Sequence, residues 1–190
     1  MAATPDEIMK VLNLDQPNYD EAAARLGKGA LPILKEVVKT AHPLTASKAA
    51  YLAGKIHHEK SVEVLRAAKR RPEGAVRIAA AAAAELLLDH AEKSGAQKAG
   101  RVTGARDKIL ESAGRLVVGL TTDRDADVRR VASWSLPADA AQEKPRTIKA
   151  VRKLSKTDSS ARLRDSAKAV LNRTKAARQG AGGRGKARQG

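Results

Sequence analysis

Three Ala-rich segments of this chain follow one helical pattern: "VRIAAAAAAEL" from Val76, "VRRVASWSL" from Val128 and "LRDSAKAVL" from Leu163. Weaker versions stand upstream, "NYDEAAARLG" from Asn18 and "TASKAAYLAG" from Thr45, so the starts lie 27, 31, 52 and 35 residues apart. Recurrence near this period marks stacked units, each too small to bury its own apolar face alone.

A second apolar helix precedes each copy. These are "DEIMKVLNL" (6–14), "ALPILKEVVKT" (30–40), "SVEVLRAAKR" (61–70), "RDKILESAGRLVVGL" (106–120) and "RTIKAVRKLS" (146–155), all with apolar residues three and four apart. Turn residues separate partners at "HPLT" (42–45), "RPEG" (71–74), "TTDRDAD" (121–127) and "KTDSS" (156–160). The one long interval holds a polar insert, residues 89–104, expected as a long loop or a frayed helix extension. The pattern predicts an all-α fold of about five antiparallel helix pairs over residues 1–172.

Composition agrees with close helix packing. Trp134, Tyr19 and Tyr51 are the only aromatics, Phe is absent, and Ala, Leu and Val supply most apolar positions. Cys is absent too, which excludes disulfides, zinc–thiolate sites and cysteine nucleophiles. The opening "MAATPDEIMKVLNLDQ" has no basic and then apolar leader, and no apolar run approaches a membrane span. The expectation is a chain without a membrane span, and a cytoplasmic location by default.

Charge is concentrated at one end. Residues 144–190 carry fifteen Lys or Arg against Asp158 and Asp165, a net +13, while residues 1–143 carry only +3. The tail 173–190 has six basic residues and five glycines, and predicts a disordered arm. A nucleic acid or another polyanion is therefore a possible partner, through Lys144, Arg146, Lys149, Arg152, Lys153, Lys156, Arg173, Lys175, Arg178, Arg184, Lys186 and Arg188.

The segment "DRDADVRRVASWSLP" (123–137) opens with Asp123, Asp125 and Asp127, the alternation that begins a calcium loop. Such a loop needs Gly at its sixth position and Glu at its twelfth, and this chain has Val128 and Trp134 there. Helix capping is the better reading, because carboxylates before a helix accept its free N–H groups and complement its dipole. No metal and no cofactor is expected. Adjacent His57 and His58 point about 100° apart on a helix and do not converge on one ion.

"DADVRRVASWSL" and "SARLRDSAKAVL" resemble the second helix of HEAT repeats, and the likeness covers about residues 15–173. The resemblance implies a ladder of acids and arginines six residues apart, matched here by Asp123 with Arg129 and by Asp158 with Arg164. Arg71 stands where Arg77 would have its acid, and the repeat from Thr45 has no Arg, so an interruption in mid-ladder is expected. The resemblance implies a short right-handed α-solenoid, HEAT-like over residues 1–172, of a kind that usually binds other macromolecules.

With Val128, Val131, Ala132, Ser135 and Leu136 on the core face of their helix, Arg130 and Trp134 fall opposite, close enough to stack. Comparable outward positions are Asp20, Ala23, Ala50, Tyr51, Ile78, Ala81, Asp165 and Lys168. The expected protein-binding set is Arg129, Arg130, Trp134, Arg164 and Lys168. A second basic group, Arg66, Lys69, Arg70 and Arg71, ends a helix, where its charge complements the dipole and is expected to be solvated.

No acid, base and nucleophile converge, and "GAGGRG" (180–185) lacks the strand–turn–helix setting of a phosphate loop. The expected function is therefore that of a non-catalytic adaptor for a protein partner. Sequence-nonspecific nucleic-acid binding is the alternative. Enzymes of HEAT-like build come third: DNA glycosylases, for which Trp134 with Asp165 or Asp139 offers a fragment, and lyases that attach bilins, for which no residue pattern stands out.

Overall fold

The structure is a computed structural model that describes residues 3–96, 104–135 and 145–158, together with 161, 164, 165 and 167–172. Among these residues there is helix and no strand. The helices are α1 (Pro5–Asn13), α2 (Tyr19–Leu26), α3 (Leu31–Thr40), α4 (Pro43–Lys55), α5 (Ser61–Lys69), α6 (Gly74–Ala96), α7 (Gly104–Leu120), α8 (Ala126–Trp134) and α9 (Pro145–Thr157). Residues 167–172 are helical as well and belong to the last expected second helix.

Local chemistry sets several of the starts. Thr4 caps α1 in a reciprocal box, its hydroxyl accepting from the Glu7 N–H while Glu7 Oε2 accepts from the Thr4 N–H at 3.0 Å. Asn18 caps α2 in the same sense, and Pro5, Pro32 and Pro43 occupy first turns, where a missing N–H costs nothing. Gly27, at φ 56°, ends α2 and leads through a 3₁₀ turn (Gly27–Ala30) into α3.

The helices pack in two rows. Each first helix touches the next in one row (α1, α3, α5, α7), each second helix touches the next in the other (α2, α4, α6, α8), and the pairs α3/α4, α5/α6 and α7/α8 join them. The core between the rows is aliphatic, with Ile8, Leu12, Leu34, Leu52, Leu65, Leu87 and Leu120 fully buried. Small residues bring the second helices together: a Cβ on Gly54 would stand 2.8 Å from the Cβ and the carbonyl oxygen of Ala83.

The part of the insert that is described, residues 89–96, continues α6 as helix, the second of the two forms expected; residues 97–103 lie outside the described residues, as does the tail 173–190. One expectation changes here. Ala23, Ala50 and Ala81, expected to face outward, are buried at 7%, 0% and 0% exposure. A second helix in this stack is covered by its own partner and by second helices on both sides, so little of its circumference reaches solvent.

Candidate functional site

An arginine ladder joins consecutive units. Arg77 on α6 pairs through both arms of its guanidinium with Asp123, Nε to Oδ2 at 2.9 Å and Nη2 to Oδ1 at 3.0 Å. Arg129 on α8 repeats the step, its Nε donating to Asp158 Oδ2 at 2.8 Å. Each arginine also donates back to the carbonyl six residues earlier: Arg77 to Arg71, Arg129 to Asp123, and Arg164 to Asp158. The six-residue spacing thus reflects a backbone contact, while the carboxylate partner comes from the following unit.

The expected interruption is absent at Arg77, which begins the ladder. Upstream, Arg71 serves the join with the opposite polarity, donating to the carbonyls of Val38, Lys39 and Ala41 at the end of α3 and pairing with Glu73. Those carbonyls are among the acceptors a helix end leaves without intrahelical partners. Asp125 is the N-cap of α8, accepting from the Asp127 and Val128 N–H groups. Among the described residues no cluster of metal-ligating side chains occurs.

This arrangement separates the sequence-predicted partner residues. The Arg129 and Arg164 guanidiniums are engaged in the ladder, and Arg129 is only 15% exposed. Arg130 turns the other way: its Nη2 meets Asp127 Oδ1 at 2.9 Å, and its guanidinium carbon lies 5.5 Å from the ring centre of Trp134. Trp134, the single tryptophan, is 48% exposed. Lys168 is exposed and held by Asp165 at 3.0 Å.

The basic set divides as well. Lys149, Arg152, Lys153 and Lys156 form an exposed row on α9, opposite its buried Val151 and Leu154. Arg146 lies in α9, but its side chain is outside the described residues, as are Lys144, Arg173, Lys175, Arg178, Arg184, Lys186 and Arg188 altogether.

A polar cluster that local sequence gave no sign of lies across α2, α4 and α6. Tyr19 and Tyr51 meet edge to face with ring centres 5.1 Å apart, and Lys55 binds Asp20 at 2.9 Å. His57, just past the end of α4 at φ 51°, stacks on His90 of α6 at 4.0 Å with the planes 5° apart. Burial and then the neighbouring His90 hold His57 below its ordinary pKa, and the hydrogen bond to Asp20 holds Lys55 above its own. All three aromatic residues of the chain therefore lie on second helices.

No protein-family model matches the chain, and no curated protein matches it. Among solved structures, the complex of CpcE and CpcF of phycocyanin lyase from Nostoc sp. PCC7120 is similar, with a TM-score of 0.64 at 15% identity, covering 88% of this chain and 97% of the matched one. The helical-repeat fold is shared. The expectation that this chain is no enzyme is overturned by that finding, since a chain of the same fold forms part of a phycocyanin lyase. Missing triads were a weak ground for setting catalysis aside, because residues of one site in a repeat protein come from different units and leave no local motif. No helix among the described residues is long and apolar enough to cross a membrane.

Proposed function

We propose that this chain is a HEAT-like subunit of a lyase-type assembly, in which it holds a protein partner on its second-helix side. Arg130 and Trp134 anchor the contact and Lys168 extends it. The observation that carries the reading is Trp134. The protein has one large indole, and it stands half exposed under a guanidinium while much smaller aliphatic side chains fill the core. Trp and Arg dominate the energetics of protein interfaces because they combine large contact area with directed polar groups. The two-subunit complex of the similar lyase supports a second helical-repeat chain as the partner class. In this reading residues 1–172 form the repeat domain, 173–190 add electrostatic attraction, and the protein works in the cytoplasm.

The test is site-specific photo-crosslinking in the native host, with the reactive group at position 127, exposed on α8 two turns before Trp134, and, as a control, at position 36 on the exposed side of α3. The expected result is a discrete protein crosslinked from position 127, absent from position 36 and lost on Arg130→Ala. Equal capture from both positions would refute the reading.

A second reading rests on the row Lys149, Arg152, Lys153 and Lys156, whose spacing of three and four residues along α9 suits a phosphate backbone. It predicts that labelled nucleic acid bound by the full chain is released when these four residues become Gln. Unchanged affinity would remove it.

A further inference from the structure

The first-helix side carries a cleft used neither by the ladder nor by the partner face. It lies between the end of α5 and the second half of α7, has a volume of about 320 Å³, and is lined by Arg66, Lys69, Arg70, Ser112, Arg115 and Leu116. Four of its walls are cationic and none is acidic. Arg115 is tied to Glu111, whereas Arg66, Lys69 and Arg70 make no ion pair among the described residues. Glu63, one turn before Arg66, is taken by Lys35 at 2.9 Å.

Helix polarity accounts for part of this crowding, since the cations end α5 and a helix C-terminus carries roughly half a negative charge. Half a charge does not offset the three of Arg66, Lys69 and Arg70. Gly119 on α7 lies close under the Lys69 ammonium, where a Cβ would oblige that flexible head group to move. The cluster stands between two elements from different repeats, and Arg66, Arg70 and Arg115 are exposed there, in line with the solvated helix end expected from the sequence.

We propose that this cleft binds a compact oligophosphate group. Three guanidiniums, an ammonium and a hydroxyl offer many donors, with the Ser112 oxygen as the one side-chain acceptor among the lining residues. A carboxylate brings two oxygens and one charge and would leave most of these donors unmatched. A pyrophosphate-type group brings several oxygens and more than two charges into a small volume, and guanidinium forks pair with phosphate oxygens two at a time. The volume lies at the lower end of small-ligand sites, and Leu116 is the single apolar wall, so the anionic part of the ligand fills the site.

The experiment is isothermal titration of the full chain with inorganic pyrophosphate, tripolyphosphate and adenosine triphosphate at about 0.15 M salt, where long-range attraction by the basic tail is screened. One saturable site is expected. Joint Arg66→Gln and Arg70→Gln replacement weakens it by about tenfold or more, the loss that removal of charge-assisted hydrogen bonds produces. The charge-matched pair Arg173→Gln and Arg178→Gln, which takes the same charge from the basic tail, leaves it within about twofold, because general attraction is screened at this salt. Ser112→Asp places a carboxylate in the cleft and abolishes binding, while circular dichroism confirms that the helices remain. Equal affinity for triphosphate with and without the nucleoside assigns recognition to the phosphate chain alone, and tighter binding of the nucleotide assigns it to the nucleotide. Several weak sites, or equal weakening by the two double variants, would overturn the proposal in favour of general attraction to a basic chain.

Discussion

Asp123→Ala tests the ladder as the device that joins units. The substitution removes both hydrogen bonds from Arg77, at 2.9 and 3.0 Å, and the acceptor of the Asp125 N–H at 2.9 Å. The Arg77 side chain is 5% exposed and that of Asp123 11%, so water does not replace what is lost. One-sided removal from a buried pair costs about 3–5 kcal/mol. Arg77 keeps the carbonyls of Arg71 and Pro72, and Arg129 keeps the backbone oxygen at position 123, which places the expected loss near the lower end, about 3 kcal/mol. Urea unfolding followed by circular dichroism and by the fluorescence of Trp134 on α8 measures it, and a double-mutant cycle with Arg77→Met isolates the pair. Because the broken contact joins α6 to the unit holding α8, the fluorescence transition should move at least as far as the helical one. Acid gives a second readout. Burial alone raises the Asp123 carboxyl, but the Arg77 and Asp125 hydrogen bonds and the Arg77 charge outweigh it and hold it below its ordinary 3.8. A depressed carboxylate contributes stability that is whole above its unfolded value and lost as pH falls through the folded one, so Asp123→Asn should flatten the decline below about pH 4. A loss under about 1 kcal/mol, or an additive cycle, would show that the pair is incidental to the join.

Gly54→Ala should destabilise by about 1–3 kcal/mol, because the new methyl meets Ala83 backbone and side chain at 2.8 Å and overpacking outweighs the helix-propensity gain of about 1 kcal/mol; a stabilised variant would contradict this packing. His57 is held below its ordinary 6.5 by burial and by His90, with Lys55 acting in the same direction and Asp20 and Asp89 opposing. Its neutral ring contributes stability that is whole above pH 6.5 and lost as pH falls through the folded value, so His57→Gln should flatten thermal unfolding against pH in that window. Trp134→Ala should change stability by no more than about 0.5 kcal/mol, as befits a half-exposed side chain, while abolishing the partner crosslink from a neighbouring reporter position; a large loss of stability would reassign the indole to packing.

The start of α8 was legible from its aspartates, since Asp125 caps it as its side chain dictates; Thr4 and Asn18 cap α1 and α2 by the same chemistry. The five first helices were legible from their spacing, since one apolar stripe faces one neighbouring row. Second helices were harder. Ala50 and Ala81 look like surface spacers on a helical wheel that assumes a single buried face, yet they sit where helices of adjacent units touch. Of the two forms expected for the insert, its described start is the helix extension, because Leu87, Leu88 and Ala91 carry the buried register of α6 past the polar Glu85, Asp89 and His90. The stack of His57 on His90 and the meeting of Arg66 and Arg70 with Arg115 join residues from different units, and no local pattern announces either.

The ladder explains how adjacent arginines acquire different roles. Residues 129 and 130 are identical in chemistry and stand about 100° apart on α8. That rotation carries Arg129 toward Asp158 of the next unit and leaves Arg130 on the outer edge with Asp127 and Trp134. The upstream departure follows the same logic. The repeat from Thr45 offers no arginine to the unit after it, so an acid at position 71 would lie half-buried without a counterion, which is costly. Arg71 meets α3 carbonyls instead, and the two departures, missing arginine and missing acid, compensate each other across one interface. It follows that restoring the ladder's acid at one position alone is harmful: Arg71→Asp should cost more stability than Arg71→Ala, because it adds an unpaired carboxylate beside the carbonyl ends of α3.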